Sequence, residues 1–216
     1  MTQYTEKTEW LRARLKQPLP GLAAQELMMG RVVSLPRVVP ENARPSAVLC
    51  LLFPMNDELH VLLMKRREDK TAHSAQVSFP GGSFDQADAD LRATALREAQ
   101  EEVGIVSSEV DILGALTPLY IPVSNFNVYP YVGYSTQRPV YNLSQNEVSY
   151  TIEVPLRTLF HADTKITTDV VSPAMPGTIR NVRAYKLSDG TVIWGATAMM
   201  LSELEIILKD FSGTYF

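Results

Sequence analysis

The stretch from Asp88 to Gly104 constrains the fold more tightly than any other part of the chain. Asp88 and Asp90 are helix N-cap residue types, Leu91 to Val103 is rich in good helix formers, and Gly104 stands where a C-cap glycine ends a helix. The spacing predicts a helix over 91–103. Upstream, Ser46 to Phe53 is a continuous apolar, partly β-branched run and Leu59 to Met64 is a second. Pro54-Met55-Asn56-Asp57 separates them, which predicts a buried hairpin.

The rest of the pattern is weaker but consistent. Thr5 to Lys16 reads as a short amphipathic helix ended by Pro18 and Pro20, and Ala23 to Met29 as a second that docks on the domain. Beyond Gly104, strands are expected at Val110–Tyr120, Val128–Tyr134, Val148–Val154, Lys165–Val171, Thr178–Lys186 and Thr191–Ile193. A short helix fits Leu156–Phe160, and Thr197–Lys209 a longer closing one. Without βαβ regularity, an α/β (α+β) sandwich with a mixed sheet is favoured over a doubly wound sheet. At 216 residues and 45% hydrophobic composition, one domain is expected: a helical extension over 1–43, then a core domain over 44–216.

Charge restricts the partners. With 20 basic and 24 acidic residues the net charge is −4, which argues against broad nucleic-acid binding. A phosphate ligand would therefore need a bound cation to attract it. The single cysteine, Cys50, fits a reducing compartment. The longest apolar stretch, Ala47 to Met55, is too short to span a bilayer, and the N-terminus shows no signal-like apolar core. The expectation is a cytoplasmic protein with neither nucleic acid nor membrane as partner, its oligomeric state (monomer or homodimer) left open.

On a helical wheel started at Leu91, Glu101, Glu98 and Glu102 fall at about 280°, 340° and 20°, while Ala95, Leu96, Ala99 and Val103 fill the adjoining sector. Like charges at these spacings repel, and near a helix C-terminus the macrodipole opposes them as well. A cation offsets that cost. Oxygen-only ligands at this spacing suit Mg²⁺ or Mn²⁺, which also accept phosphate oxygens. Gly81-Gly82 leaves room for backbone approach, and Arg97 can orient a carboxylate by a bidentate contact.

The string Arg97-Glu98-Ala99-Gln100-Glu101-Glu102-Val103-Gly104-Ile105 resembles the second half of the Nudix box, R-E-U-x-E-E-x-G-U with U aliphatic. The loop before it is one residue longer than in the general box, a spacing typical of the coenzyme A pyrophosphatase branch. Leu62-Leu63-Met64-Lys65-Arg66, followed by His73-Ser74-Ala75-Gln76-Val77-Ser78-Phe79-Pro80-Gly81-Gly82, is similar to that branch's extended motif, LLxxRx6HxGxVxFPGG. Ala75 replaces the motif's glycine.

The resemblance implies a Nudix-type α/β/α sandwich and metal-dependent hydrolysis of the pyrophosphate in coenzyme A or its derivatives. It places Glu98, Glu101 and Glu102 on the Mg²⁺ or Mn²⁺, with the Gly82 region adding a carbonyl, and leaves the general base open between Glu102 and Glu147. Arg97 joins the catalytic group, Arg66 and His73 face the nucleotide substrate, and Gln76 and Phe79 are placed along its pocket, although a Phe before a proline-glycine turn is more often core. Other Nudix substrates such as ADP-ribose, or a non-catalytic binding module of the same fold, are the competing readings. Tyr120, Phe126, Tyr129 and Tyr131 could stack a base or simply pack.

Overall fold

The structure, a computed structural model, describes residues 3–29, 38–68, 75–172 and 175–211. Eleven strands and five α-helices follow one another along the described residues. Two helices come first, α1 (Gln3–Arg14) and α2 (Leu22–Glu26), then the strands β1 (Arg44–Met55), β2 (Glu58–Arg66), β3 (Val77–Ser78) and β4 (Gly81–Ser83). Helix α3 (Leu91–Val103) precedes β5 (Asp111–Ala115), β6 (Leu119–Ile121), β7 (Phe126–Tyr134) and β8 (Val148–Pro155). The chain closes with α4 (Leu156–Leu159), β9 (Lys165–Ser172), β10 (Met175–Lys186), β11 (Val192–Trp194) and α5 (Gly195–Lys209).

The expected hairpin is present. β1 and β2 pair antiparallel from Leu52↔Val61 to Met55↔Glu58, and Asn56 and Asp57 both take left-handed conformations (φ 52° and 59°). A two-residue turn with positive φ at both positions matches the twist of the strands it joins. β1 also runs parallel to β7 and antiparallel to β4, so the eight-stranded sheet is mixed, with a spine β3-β2-β1-β7-β5. β11, β10 and β9 form a second, antiparallel sheet.

Alternation along β1 sorts its side chains into two cores. Ala47, Leu49, Leu51 and Phe53 face α3, packing on Ala95, Ala99 and Val103; Cys50 and Leu52 face the opposite layer, with Leu11 of α1, Leu15 just after it and buried residues between Ala198 and Leu208 of α5. The chain is an α/β/α sandwich around a mixed sheet. Each fully buried Leu or Phe contributes about 1.5–3 kcal/mol, more than the roughly 1 kcal/mol of a helix cap, so packing outweighs capping in holding α3. Its contact residues Ala95 and Ala99 are small, and α3 therefore lies close to β1 and β4.

The strand expected over Val110–Tyr120 is two strands, both paired with β7. The break at Thr117-Pro118 has a cause: Pro118 offers no N–H, and the Thr117 N–H goes to the Glu203 carboxylate on α5 instead of a ladder. Both N-terminal helices dock on the core, the second as expected. The Arg12 guanidinium bonds Asp111, Trp10 meets Phe211 edge-on at 5.0 Å, and fully buried Glu203 accepts from Gly21 N–H, Gln25 Nε2, Thr117 N–H and Thr117 Oγ1.

Candidate active site

Helix α3 begins and ends where its sequence says it should. Asp90 is the N-cap, accepting from the Ala93 N–H at 2.8 Å, and Gly104 (φ 78°) is the left-handed C-cap. Fixed in length, the helix delivers Glu98, Glu101 and Glu102 to the Gly81–Ser83 strand.

The three carboxylates end in different surroundings. Glu102 is nearly buried, its side chain 4% exposed, and takes the Gly81 N–H on Oε2 at 2.8 Å and Arg66 Nη1 on Oε1 at 3.0 Å. Burial pushes its pKa up to about 7; the Gly81 N–H and Arg66 oppose that rise, and the charges of Glu98 and Glu147 add to it. Glu98 sits over Gly82, whose missing side chain leaves room for it: a Cβ on residue 82 would stand 2.5 Å from the Glu98 carboxyl carbon. Its pKa is also raised, chiefly by burial, with Arg97 opposing and Glu101 and Glu147 reinforcing. Glu101 is 56% exposed and bonds Arg97 Nη1 at 2.9 Å.

Arg97 ties the site to the loop before the helix. Its Nε and Nη2 grip Asp88 at 2.8 and 3.1 Å, Nη2 also reaches the Ser83 carbonyl, and Nη1 serves both Glu98 and Glu101. Arg97 holds the Asp88 carboxyl well below the usual carboxylate range. Asp88 thus anchors Arg97, while Asp90 takes the cap between the two acids that the sequence left open. That role has no helical spacing behind it, since Asp88 and Arg97 are nine residues apart and meet only because the loop turns back.

Of the residues singled out by sequence, Glu98, Glu101, Glu102, Gly82, Arg97 and Arg66 come together here. Glu147, exposed in the turn immediately before β8, is close enough for its charge to act on both Glu98 and Glu102. Gln76 lies half-buried beside β3, its carbonyl accepting from the Arg66 N–H at 3.0 Å. Phe79 corrects the sequence reading: at 1% exposure it belongs to the core against α5 and lines no substrate surface. One more apolar side chain on a sheet face goes inward. His73 lies outside the described residues. Ala75 adopts a left-handed conformation (φ 55°), the geometry a glycine in its place would take without strain. Tyr129 and Tyr131 pack on the α3-side core, and the Tyr120 hydroxyl donates to Asn125.

Among the described residues, no three His, Cys, Asp or Glu donors converge as a ready-made metal cage; Glu101 is bonded to Arg97 and Glu102 to Arg66. The donor set is nonetheless right for a hard divalent cation: three carboxylates within two turns, two of them with pKa raised chiefly by burial, above a glycine that leaves space beside Glu98.

The NUDIX domain model matches residues 43–169, more than half of the chain. A relative from Cronobacter sakazakii, named as an uncharacterized Nudix hydrolase NudL, is 44% identical over 115 residues; the match spans 53% of this chain and 59% of the relative's length. The NudL of Yersinia enterocolitica is 32% identical over 194 residues, 89% of this chain and 88% of that one. Among solved structures, a MutT/nudix family protein from Enterococcus faecalis superposes with a TM-score of 0.49 at 15% identity, covering 97% of this chain and 76% of the other. No helix among the described residues is long and apolar enough to cross a membrane. A domain match over most of the chain's first three quarters, and relatives named for the same family, establish that this chain belongs to the Nudix hydrolases.

Proposed function

We propose that the protein hydrolyses the pyrophosphate bond of coenzyme A or a derivative, giving 3′,5′-ADP and a phosphopantetheine-type product. The observation that carries the reading is the intact carboxylate set of α3 closed against Gly81-Gly82, behind the Leu62-to-Gly82 segment similar to the coenzyme A branch. Glu98, Glu101 and Glu102, with the Gly82 carbonyl, would hold Mg²⁺ or Mn²⁺. When bound, that ion supplies neutralising charge for the phosphate oxygens and lowers the pKa of water.

The chain's own groups do the rest. Arg97, braced by Asp88 and the Ser83 carbonyl, sets the positions of Glu98 and Glu101. Glu102 has donors on both oxygens, whereas Glu147 is exposed and close to them, so Glu147 is the proposed base. It accepts the proton as water adds to one phosphorus; the phosphoanhydride P–O bond breaks and the second phosphate leaves.

The test is a side-by-side assay of coenzyme A, an acyl-coenzyme A, ADP-ribose and dinucleoside polyphosphates with Mg²⁺ or Mn²⁺. Release of 3′,5′-ADP with the highest kcat/KM for the coenzyme A substrates is expected. A clear preference for ADP-ribose replaces the substrate assignment, and unchanged turnover in Glu98→Gln removes the metal assignment.

A further inference from the structure

Arg97 and Arg66 both hold carboxylates of α3, but they are satisfied to different degrees. Arg97 commits Nε and Nη2 to Asp88 and the Ser83 carbonyl, so its place does not depend on the glutamates. Arg66, at the end of β2, has Nη1 on Glu102 Oε1, while its Nε is buried with no hydrogen-bond partner. The Ser78 hydroxyl is also buried and unpartnered. The pairing Met64↔Ser78 and Lys65↔Val77 puts Ser78 on the same face of the sheet as Arg66. A buried donor without an acceptor costs free energy that an incoming anion or polar group can recover. Glu102 takes the Gly81 N–H on Oε2 and Arg66 on Oε1, so a cation that approaches Oε1 meets the guanidinium already there.

We propose that Arg66 contests Glu102 Oε1 with the divalent cation, thereby setting the metal affinity, and turns its guanidinium to an anionic substrate oxygen once the cation holds Glu102. The inference rests on the reading of Glu98, Glu101 and Glu102 as metal ligands. It has a signature that a merely structural arginine lacks. Deleting a residue that hydrogen-bonds a ligand normally loosens the ligand and weakens metal binding. Deleting a competitor strengthens it, because the site loses a positive charge beside the ion.

Calorimetric titration of the whole protein with Mn²⁺ alone separates the two. Arg66→Gln is expected to bind Mn²⁺ on the order of tenfold more tightly than the natural chain while showing a raised KM in the hydrolysis assay. Arg66→Lys, which keeps the charge, is expected to fall between the two. In a Glu102→Gln background the Arg66→Gln gain in affinity should vanish, as expected when both residues act through one oxygen. On the unsubstituted protein, added Mg²⁺ should shift the Arg66 Nε–H resonance, a readout that does not depend on any variant folding. Equal or weaker Mn²⁺ binding by folded Arg66→Gln, or an Arg66 resonance that ignores saturating Mg²⁺, overturns the inference and leaves the metal site standing. No Mn²⁺ binding by either protein overturns the functional reading and this inference together.

Discussion

Gly82 lies directly beneath Glu98, so close that the smallest added side chain would enter the space of the carboxylate, 2.5 Å from its carbon. Glu98 is the movable partner in that clash. Gly82→Ala is therefore expected to fold with little loss of stability but to lose at least about tenfold in kcat, measured beside its melting temperature. Gly81→Ala is the opposite case, because its Cβ would stand 2.6 Å from the Val48 Cα, in the backbone of β1. It should destabilise the fold by about 1–3 kcal/mol in denaturant titration.

Glu102 gives the site a pH dependence of defined sign. Its pKa is raised from 4.5 to about 7 by burial, so the folded chain prefers the protonated acid. That contribution to stability is complete below about pH 4.5 and is lost as pH rises through about 7. A divalent cation demands the ionised form, so its apparent affinity should climb across the same interval. Melting curves at pH 5 and pH 8, with and without Mg²⁺, check this: the stabilisation by Mg²⁺ should be larger at pH 8.

Asp88 anchors Arg97 with two hydrogen bonds, and its carboxyl is held in the ionised form. Its stabilising contribution is present above its ordinary value of 3.8 and disappears as pH falls through the lowered folded value. Asp88→Asn should cost about 1.5–3 kcal/mol at neutral pH, as loss of a charged hydrogen-bond partner does. It should also lower kcat, because Arg97 would no longer hold Glu98 and Glu101 steady. Equal kcat in the variant would show that Arg97 needs no brace.

Ala75 carries backbone strain at φ 55°. A left-handed conformation costs a non-glycine residue about 1–2 kcal/mol, of which the greater freedom of glycine in the unfolded chain takes back about 0.4–1. Ala75→Gly is expected to raise stability by about 0–1.6 kcal/mol. A lowered denaturation midpoint would contradict it.

Glu203 joins α5 to the second N-terminal helix, α2, through the Gly21 N–H and Gln25, and to the β5–β6 connection through Thr117. Glu203→Ala leaves these buried donors unpaired and should destabilise by at least about 3 kcal/mol. Hydrogen exchange should show residues 21–26 losing protection first.

The sheet's hairpin and the limits of α3 were legible because each follows from local chemistry (continuous apolar runs, a capping aspartate, a terminating glycine), whereas the layer order came from the family resemblance. The side to which Phe79 turns is not legible locally, since an aromatic before Pro80-Gly81 has the same sequence signature whether it faces a ligand or the core. The Val110–Tyr120 strand was drawn too long since the Glu203 carboxylate that claims the Thr117 N–H is 86 residues away.

Sequence alone determined that three glutamates share one helical face, because helix periodicity is a property of the backbone and needs no partner; that the face lies against Gly81-Gly82 is tertiary. Which cation each glutamate meets was decided only in three dimensions. Arg66 arrives from β2, Arg97 is pulled sideways by Asp88, and Glu147 is carried in by β8. Electrostatic pairing depends on distance through space, and strands far apart in the chain become neighbours only when their apolar faces are buried in a common sheet.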